Sequence, residues 1–373
     1  MTRAFLYGRL ADPDILPVLL GRAFASDTSA CAPATLDGYS LPDNADTPFP
    51  LARPEAGARL QGVLVQGVPD NTLARIKVFH AGIGAQEQCL DVSGQPALAF
   101  FADAAQPAPD ALPAESDSSD HWKEIARYAT EEAMQRAAHE DGAVLRSRMP
   151  MILARAAARV AAGPGKPARV RSGLSRDRVE VTGQNTPHSG FFVTRQVALR
   201  HPLFGGGMSD QMTREVFVAT DAAIVLPYDT ARDRVLLVEQ FRMGPFGRGD
   251  ARPWMLEPVA GRIDAGETPE QAARRECEEE AGLTLSGLER ISSHYCSPGC
   301  STEYFHLFLG ICDLPDMASG TGGLDSEHED IRTHTLPFDQ AMALLATGEA
   351  DNGPLILSLI WLRRERARLR AAA

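Results

Sequence analysis

Short runs of apolar residues broken by turn formers fill the first hundred positions: RAFLYG (3–8), ATLDGYSL (34–41), RLQGVLVQGV (59–68), QCLDV (88–92) and ALAFFA (97–102). Such runs predict strands, so residues 1–104 read as a small β-rich domain. Residues 105–120, AQPAPDALPAESDSSD, have the composition of a linker. The period then changes. Trp122, Ile125, Ala129, Ala133 and Ala137 recur at steps of three and four, which predicts a helix capped by Ser119 or Asp120. A second helix is expected over Pro150–Ala162, ended by AAGPGKPAR. Residues 105–167 therefore read as a helical connector and residues 168–373 as a separate, strand-rich unit.

In that unit VRSGL (170–174), VEVTG (179–183), GFFVTRQVALRH (190–201) and REVFV (214–218) predict strands. IVLPY and RVLLVEQFR flank DTARD (229–233) and predict a hairpin. A helix over Pro269–Ala281 follows, then strands in SSHYCSPG and EYFHLFLGICDL, and helices over Phe338–Thr347 and Pro354–Ala371. The order implies an α/β (α+β) protein with a mixed sheet.

Composition narrows the function. A chain of 373 residues exceeds one ordinary core, and 44% hydrophobic with 23% charged residues is globular. A net charge of −12 argues against nucleic acid and anionic membranes as partners. An anionic substrate has to be met by local arginines and a cation. The six cysteines form no C-x-x-C pair and read as free thiols, and Cys296 with Cys300 lacks the second pair a zinc site needs. MTRAFLYGRLADPD lacks a long apolar core, so a soluble, cytoplasmic protein is expected.

The most informative run is GRIDAGETPEQAARRECEEEAGL (261–283). Glu276, Glu279 and Glu280 stand at i, i+3 and i+4 and share one helix face. Like charges so placed destabilise a bare helix, and a hard divalent cation bound by carboxylate oxygens relieves them. Glu278 falls on the opposite face and reads as solvated.

This run resembles the Nudix box, G-x5-E-x7-R-E-U-x-E-E-x-G-U, at every position if Cys277 serves as the first apolar residue. The resemblance extends through LLVEQFRMGPF (236–246), WMLEPVAGRIDAGE (254–267), HYCSPGCSTEYFHLFLG (294–310), GGLDSEHEDIRTHTL (322–336) and EADNGPLILSLIWL (349–362). It is similar to the ADP-ribose pyrophosphatase branch of the Nudix hydrolases, and also to the GDP-mannose pyrophosphatases. The resemblance implies an α/β/α sandwich that hydrolyses a diphosphate with Mg²⁺, or Mn²⁺ in its place. It implies Glu276 and Glu280 as metal ligands with the Ala260 carbonyl, Glu279 as further catalytic charge, and Glu329 as another metal-associated carboxylate. Glu327 aligns with the general base, Glu329 and then Glu279 being the alternatives. Gly261, Glu267, Arg275 and Gly282 hold the box in shape. Arg242, Arg214 and Glu215 are candidate substrate contacts, Pro298 is a family marker of ADP-ribose hydrolysis, and Trp254 and Phe246 are candidates for stacking a base or for the core. A homodimer is implied.

FLYGRL (5–10), LDGYSL (36–41), PFPLARP (48–54) and LQGVLVQGV (60–68) resemble the γ-glutamylcyclotransferase-like, or AIG2-like, β-barrel. In IKVFH (76–80) His80 stands where that family carries its catalytic glutamate, so a non-catalytic front module is expected. The fused architecture is similar to that of tellurite-resistance-type Nudix proteins, although no cysteine arrangement here supplies soft-metal chemistry. Two other readings remain: hydrolysis of another nucleotide sugar such as GDP-mannose, and a nucleotide sensor signalling through the front domain.

Overall fold

The computed structural model describes residues 2–21, 24, 30–42, 47–103, 119–163, 165, 167–314, 321–322 and 329–371, the side chains of 119 and 321 excepted. Strands β1 (Arg3–Tyr7), β2 (Cys31–Ser40), β3 (Arg53–Gln66), β4 (Ala85–Val92) and β5 (Gln95–Ala102) form one sheet in the order β2-β3-β1-β5-β4. Its end strands β2 and β4 approach each other and are linked by side chains: Ser93 Oγ accepts from the Thr35 N–H at 3.1 Å, and Tyr39 donates to Gln88 at 3.3 Å.

Two helices cover this sheet where none, or a shorter one, was expected. Asp70–Gly82 is helical and includes IKVFH; Ile76, Phe79 and His80 fall on its buried face, a three- and four-residue spacing hidden among neighbouring strand runs. The second connector helix begins at Gly142, not Pro150, because Asp141 caps it by accepting from the Val144 N–H at 2.9 Å; Pro150 is carried inside it. Trp122, Ile125, Ala129, Leu145, Met149 and Ile152 pack in one apolar cluster with Ala4, Leu6, Ile76 and Phe79. The helices Ser119–Arg136 and Gly142–Ala161 thus complete the front core.

The VRSGL segment is exposed and forms no strand: Val170 is 99% exposed, and among the described residues no strand runs beside it. Strands β6 (Glu180–Ser189), β7 (Val193–Arg200) and β8 (Met212–Val218) form a three-stranded antiparallel sheet. The main sheet contains β9 (Asp221–Asp229), β10 (Arg234–Phe241), β11 (Trp254–Glu257), β12 (Val259–Arg262), β13 (Gly287–Tyr295), β14 (Tyr304–Ile311), β15 (Thr321–Gly322) and β16 (Ile331–Pro337). Its order is β13-β14-β9-β10-β16-β15, with β11 on β10 and β12 on β9. β14 and β9 run parallel and the other pairs antiparallel, so the sheet is mixed.

Strand alternation divides the core in two. Ala223, Val225, Leu236 and Val238 face the helix Pro269–Ala281 through Ala272, Ala273 and Cys277. Leu226, Tyr228, Val235 and Leu237 face the helices Phe338–Thr347 and Gly353–Ala371. This is an α/β/α sandwich. No described helix is long and apolar enough to cross a membrane, and all six cysteines are free.

Candidate active site

The helix Pro269–Ala281 is positioned by its ends. Thr268 and Gln271 form a capping box, Pro269 occupies the first turn, and Gly282 closes the helix at φ 62°. A cap of this kind contributes about 1 kcal/mol. The apolar stripe Ala272, Ala273, Cys277 turns toward the sheet and carries Glu276 and Glu280 inward, while Glu278 points to solvent.

Glu280 is 2% exposed and accepts from the Ala260 N–H at 3.2 Å. Glu276 lies across Gly261 so closely that a Cβ there would meet its carboxyl carbon at 1.9 Å. Arg275 organises the rest. Its Nε and Nη2 grip Glu267 at 2.7 and 2.9 Å, and Nη2 also donates to the Arg262 carbonyl at 3.0 Å. Its Nη1 donates to Glu276 at 2.6 Å and to Glu279 at 2.9 Å. Burial works against the Glu267 anion, but the Arg275 fork and the Asp264 N–H outweigh it and hold its carboxyl below the usual range.

The two inward carboxylates are different. Burial first, then the charges of Glu279 and Glu329, push Glu276 up to about 7 against the pull of Arg275. Burial, with Glu276 and Glu329 adding to it, pushes Glu280 up to about 8. Two desolvated carboxylates sharing one small region are an all-oxygen donor set that fits a hard divalent cation. Among the described residues no three His, Cys, Asp or Glu side chains already surround a common point. Arg275 Nη1 lies between Glu276 and Glu279, and residues 323–328 are outside the description.

The remaining candidates distribute unevenly. Glu329 is close enough for its charge to act on both Glu276 and Glu280. Glu327 lies outside the described residues. Arg242 is bound to Glu257 at 2.6 Å, and its charge also reaches Glu280. Arg214 and Glu215 are split by the alternation of β8: Arg214 faces a cleft that Pro298 also lines, whereas Glu215 accepts from Gln196 at 3.1 Å on the other face. The turn carrying Pro298 docks on β8, where Phe217 N–H donates to the Cys300 carbonyl at 2.8 Å. Trp254 and Phe246 are each 57% exposed and flank Phe241 at ring distances of 5.5 and 5.6 Å, a surface cluster, not core.

Two residues escaped sequence reasoning. Glu257 anchors Arg242, and only the pairing of β10 with β11 reveals it. Gly322 admits the Glu280 carbonyl: a Cβ there would sit 2.0 Å from that oxygen. Its glycine-glycine context hinted at a close approach without naming the neighbour.

In the front sheet His80 is 3% exposed, shares its Nδ1 with the Ile76 carbonyl at 2.8 Å and stacks on Phe100 at 3.8 Å. Burial pushes its pKa down to about 4, so it is a neutral core imidazole at neutral pH.

A family model described as the NUDIX domain matches residues 218–359. The ADP-ribose pyrophosphatase of Haemophilus influenzae is 39% identical over 198 residues, covering 52% of this chain and 91% of that protein. The ADP-ribose pyrophosphatase of Escherichia coli K12 is 38% identical over 198 residues, covering 53% and 94%. The GDP-mannose pyrophosphatase of Escherichia coli O9:H4 is 35% identical over 150 residues, covering 40% and 77%. The chain belongs to the Nudix family of hydrolases.

Proposed function

We propose that this protein hydrolyses the diphosphate of ADP-ribose, with Mg²⁺, to AMP and ribose 5-phosphate. The observation that supports it most directly is the pair Glu276 and Glu280, buried beside Gly261 and Ala260 and held in place by the Arg275–Glu267 fork. Relatives at 38–39% identity that carry the name ADP-ribose pyrophosphatase point to the same substrate.

In this reading Glu276 and Glu280 hold the cation, with Glu329 and the Ala260 carbonyl as further oxygens. A divalent cation held there would supply positive charge against the diphosphate and make the attacking water easier to deprotonate. Glu327 takes the proton from the attacking water, while Arg275 fixes the carboxylates and Glu279 adds negative charge at the rim. Arg242 and Arg214 meet the anionic and adenosine parts of the substrate. Residues 1–104 form a γ-glutamylcyclotransferase-like module without catalysis, residues 105–167 connect it, and residues 168–373 carry the hydrolase, which works as a cytoplasmic homodimer.

The similarity to a GDP-mannose pyrophosphatase supports a second reading, a different nucleotide sugar as substrate. A panel of nucleotide sugars with Mg²⁺, read as phosphate released after phosphatase treatment, separates the two: ADP-ribose is expected to give the highest kcat/KM. Glu280→Gln is expected to keep the fold and lose most turnover, since it removes ligand charge without changing shape. A folded Glu280→Gln protein within about tenfold of wild-type kcat refutes the metal assignment.

A further inference from the structure

The helix Gly142–Ala161 lies outside residues 218–359, yet it touches the loop that opens the Nudix box. That loop joins β12 to the helix Pro269–Ala281. Met151 Sδ accepts from Arg262 Nη1 at 3.3 Å. Ala265, in the middle of the loop, packs on the front apolar cluster that holds Leu145, Met149 and Ile152. Strand β9 holds the same loop through the Ile263 N–H, which donates to the Asp221 carbonyl at 3.1 Å.

Arg262 serves both sides of this contact. Its guanidinium spans helix and loop, with Nη1 on Met151 and Nε on Asp264 at 2.9 Å. Its carbonyl accepts from Arg275 Nη2 at 3.0 Å, and Arg275 Nη1 in turn holds Glu276 and Glu279 at 2.6 and 2.9 Å. Direct contacts therefore run from the connector helix to a proposed metal ligand: Met151, Arg262, Arg275, Glu276. The box pattern G-x5-E leaves the Arg262 position open, so the box itself does not assign this residue a task. A thioether is a weak acceptor but a polarizable one, and it suits a delocalised guanidinium. Outer contacts orient a metal ligand, and losing one typically costs about 10–100-fold in metal affinity. Arg262 acts one step further out, through Arg275, so a smaller factor is expected.

We propose that Met151 and Arg262 are positioning residues for the cation site: the connector helix, docked on the box loop, sets the Arg275 fork and so tunes the affinity for a divalent cation. The inference rests on the cation site of the proposed function and not on its substrate. It gives the fused front module a part in the Nudix reaction without chemistry of its own, because the cluster that Ala265 packs against is the core of that module.

The test measures Mn²⁺ binding to the full chain without substrate, from the electron paramagnetic resonance signal of the free ion. Arg262→Ala removes a positive charge whose field reaches the box carboxylate Glu267. By Coulomb attraction alone that change would tighten a cation; lost positioning is expected to weaken it roughly three- to tenfold instead. Met151→Ala is expected to weaken it in the same direction with no change of charge. Met151→Gln keeps a neutral acceptor on a side chain of similar length and is expected to stay within about twofold of wild type. With ADP-ribose, the Mg²⁺ concentration for half-maximal rate should rise by the same factor in both alanine variants, while kcat at saturating Mg²⁺ and the melting temperature are retained. Unchanged or tighter Mn²⁺ binding in either folded alanine variant, or a loss in Met151→Gln as large as in Met151→Ala, overturns the inference. A wild type that binds no Mn²⁺ up to about 1 mM refutes the cation site and the inference together. Weakened binding in the variants, with no hydrolysis of any nucleotide sugar by wild type, refutes the diphosphatase reading alone.

Discussion

Gly261 lies under Glu276, and the fit is close enough that a methyl group would occupy the space of the carboxylate. Gly261→Ala is therefore expected to displace a flexible side chain, not the backbone. The fold should survive and the chemistry should not: kcat falls by roughly 10- to 100-fold while the melting temperature moves by only about 2–3 °C, as Mg²⁺-dependent kinetics and thermal melts on one preparation will show. Glu327 is the residue proposed to activate water. If so, Glu327→Gln cuts kcat by roughly 10²–10⁴ and leaves KM nearly unchanged. If Glu329 is the base, the two substitutions exchange effects. Silence of both moves the role to Glu279. The resemblance to the Nudix box implied a structural Glu267–Arg275 pair, and the bidentate contact joins loop and helix across eight residues of sequence.

At the scale of elements, the turn between β9 and β10 is fastened to the C-terminal helix through Asp233. Arg366 Nε donates to it at 3.0 Å, Arg370 pairs with it at 2.9 Å, and its carbonyl receives the Phe338 N–H at 2.9 Å. Burial would raise this carboxyl, but hydrogen bonds from Arg366 and Tyr228 and the charges of Arg366 and Arg370 outweigh it, so its pKa lies below the usual range. A depressed carboxylate contributes stability that is present above its unfolded pKa of about 3.9 and is lost as pH falls through the folded value. Asp233→Asn keeps a residue that tolerates the observed φ of 57°. It is expected to melt several degrees below wild type near pH 7, and the gap should narrow as pH drops below about 4. A gap that stays constant from pH 7 to 3 would show that the charge is irrelevant to the attachment.

For the whole molecule, the apolar clusters flanking the main sheet contain no residue before Ala223, while the front cluster draws together β1, β3, β5 and the helices up to Ala161. Removing residues 1–165 is expected to leave a folded Nudix unit with kcat within about tenfold of the full chain, because independent cores fold independently. A truncated protein that does not fold would mean that the contacts of Arg136 with Ser189 and Gly190, and of Arg262 with Met151, are obligatory.

The local sequence determined the elements that carry their own period and caps. The helix Pro269–Ala281 is bounded by Thr268 and Gly282, and the helix Phe338–Thr347 and the β9–β10 hairpin were equally legible. The shared face of Glu276, Glu279 and Glu280 followed from helical spacing, which is a local property. Tertiary structure decided whatever depends on which elements meet. The helix Asp70–Gly82 was hidden because its apolar residues point at a core assembled from β1, β3 and a helix some seventy residues later. VRSGL looked like a strand but among the described residues has no partner strand, and an unpaired run of this kind does not gain the cross-strand bonds that hold an extended chain. Burial separated Glu280 from Glu279, although both are glutamates on one helix face, because only Glu280 packs under β12 and β15. The cleft that Arg214 faces joins Arg155 of the helix Gly142–Ala161 to Arg195 of β7, forty positions apart on two unrelated elements. Periodicity along one segment does not encode that meeting; packing between segments does.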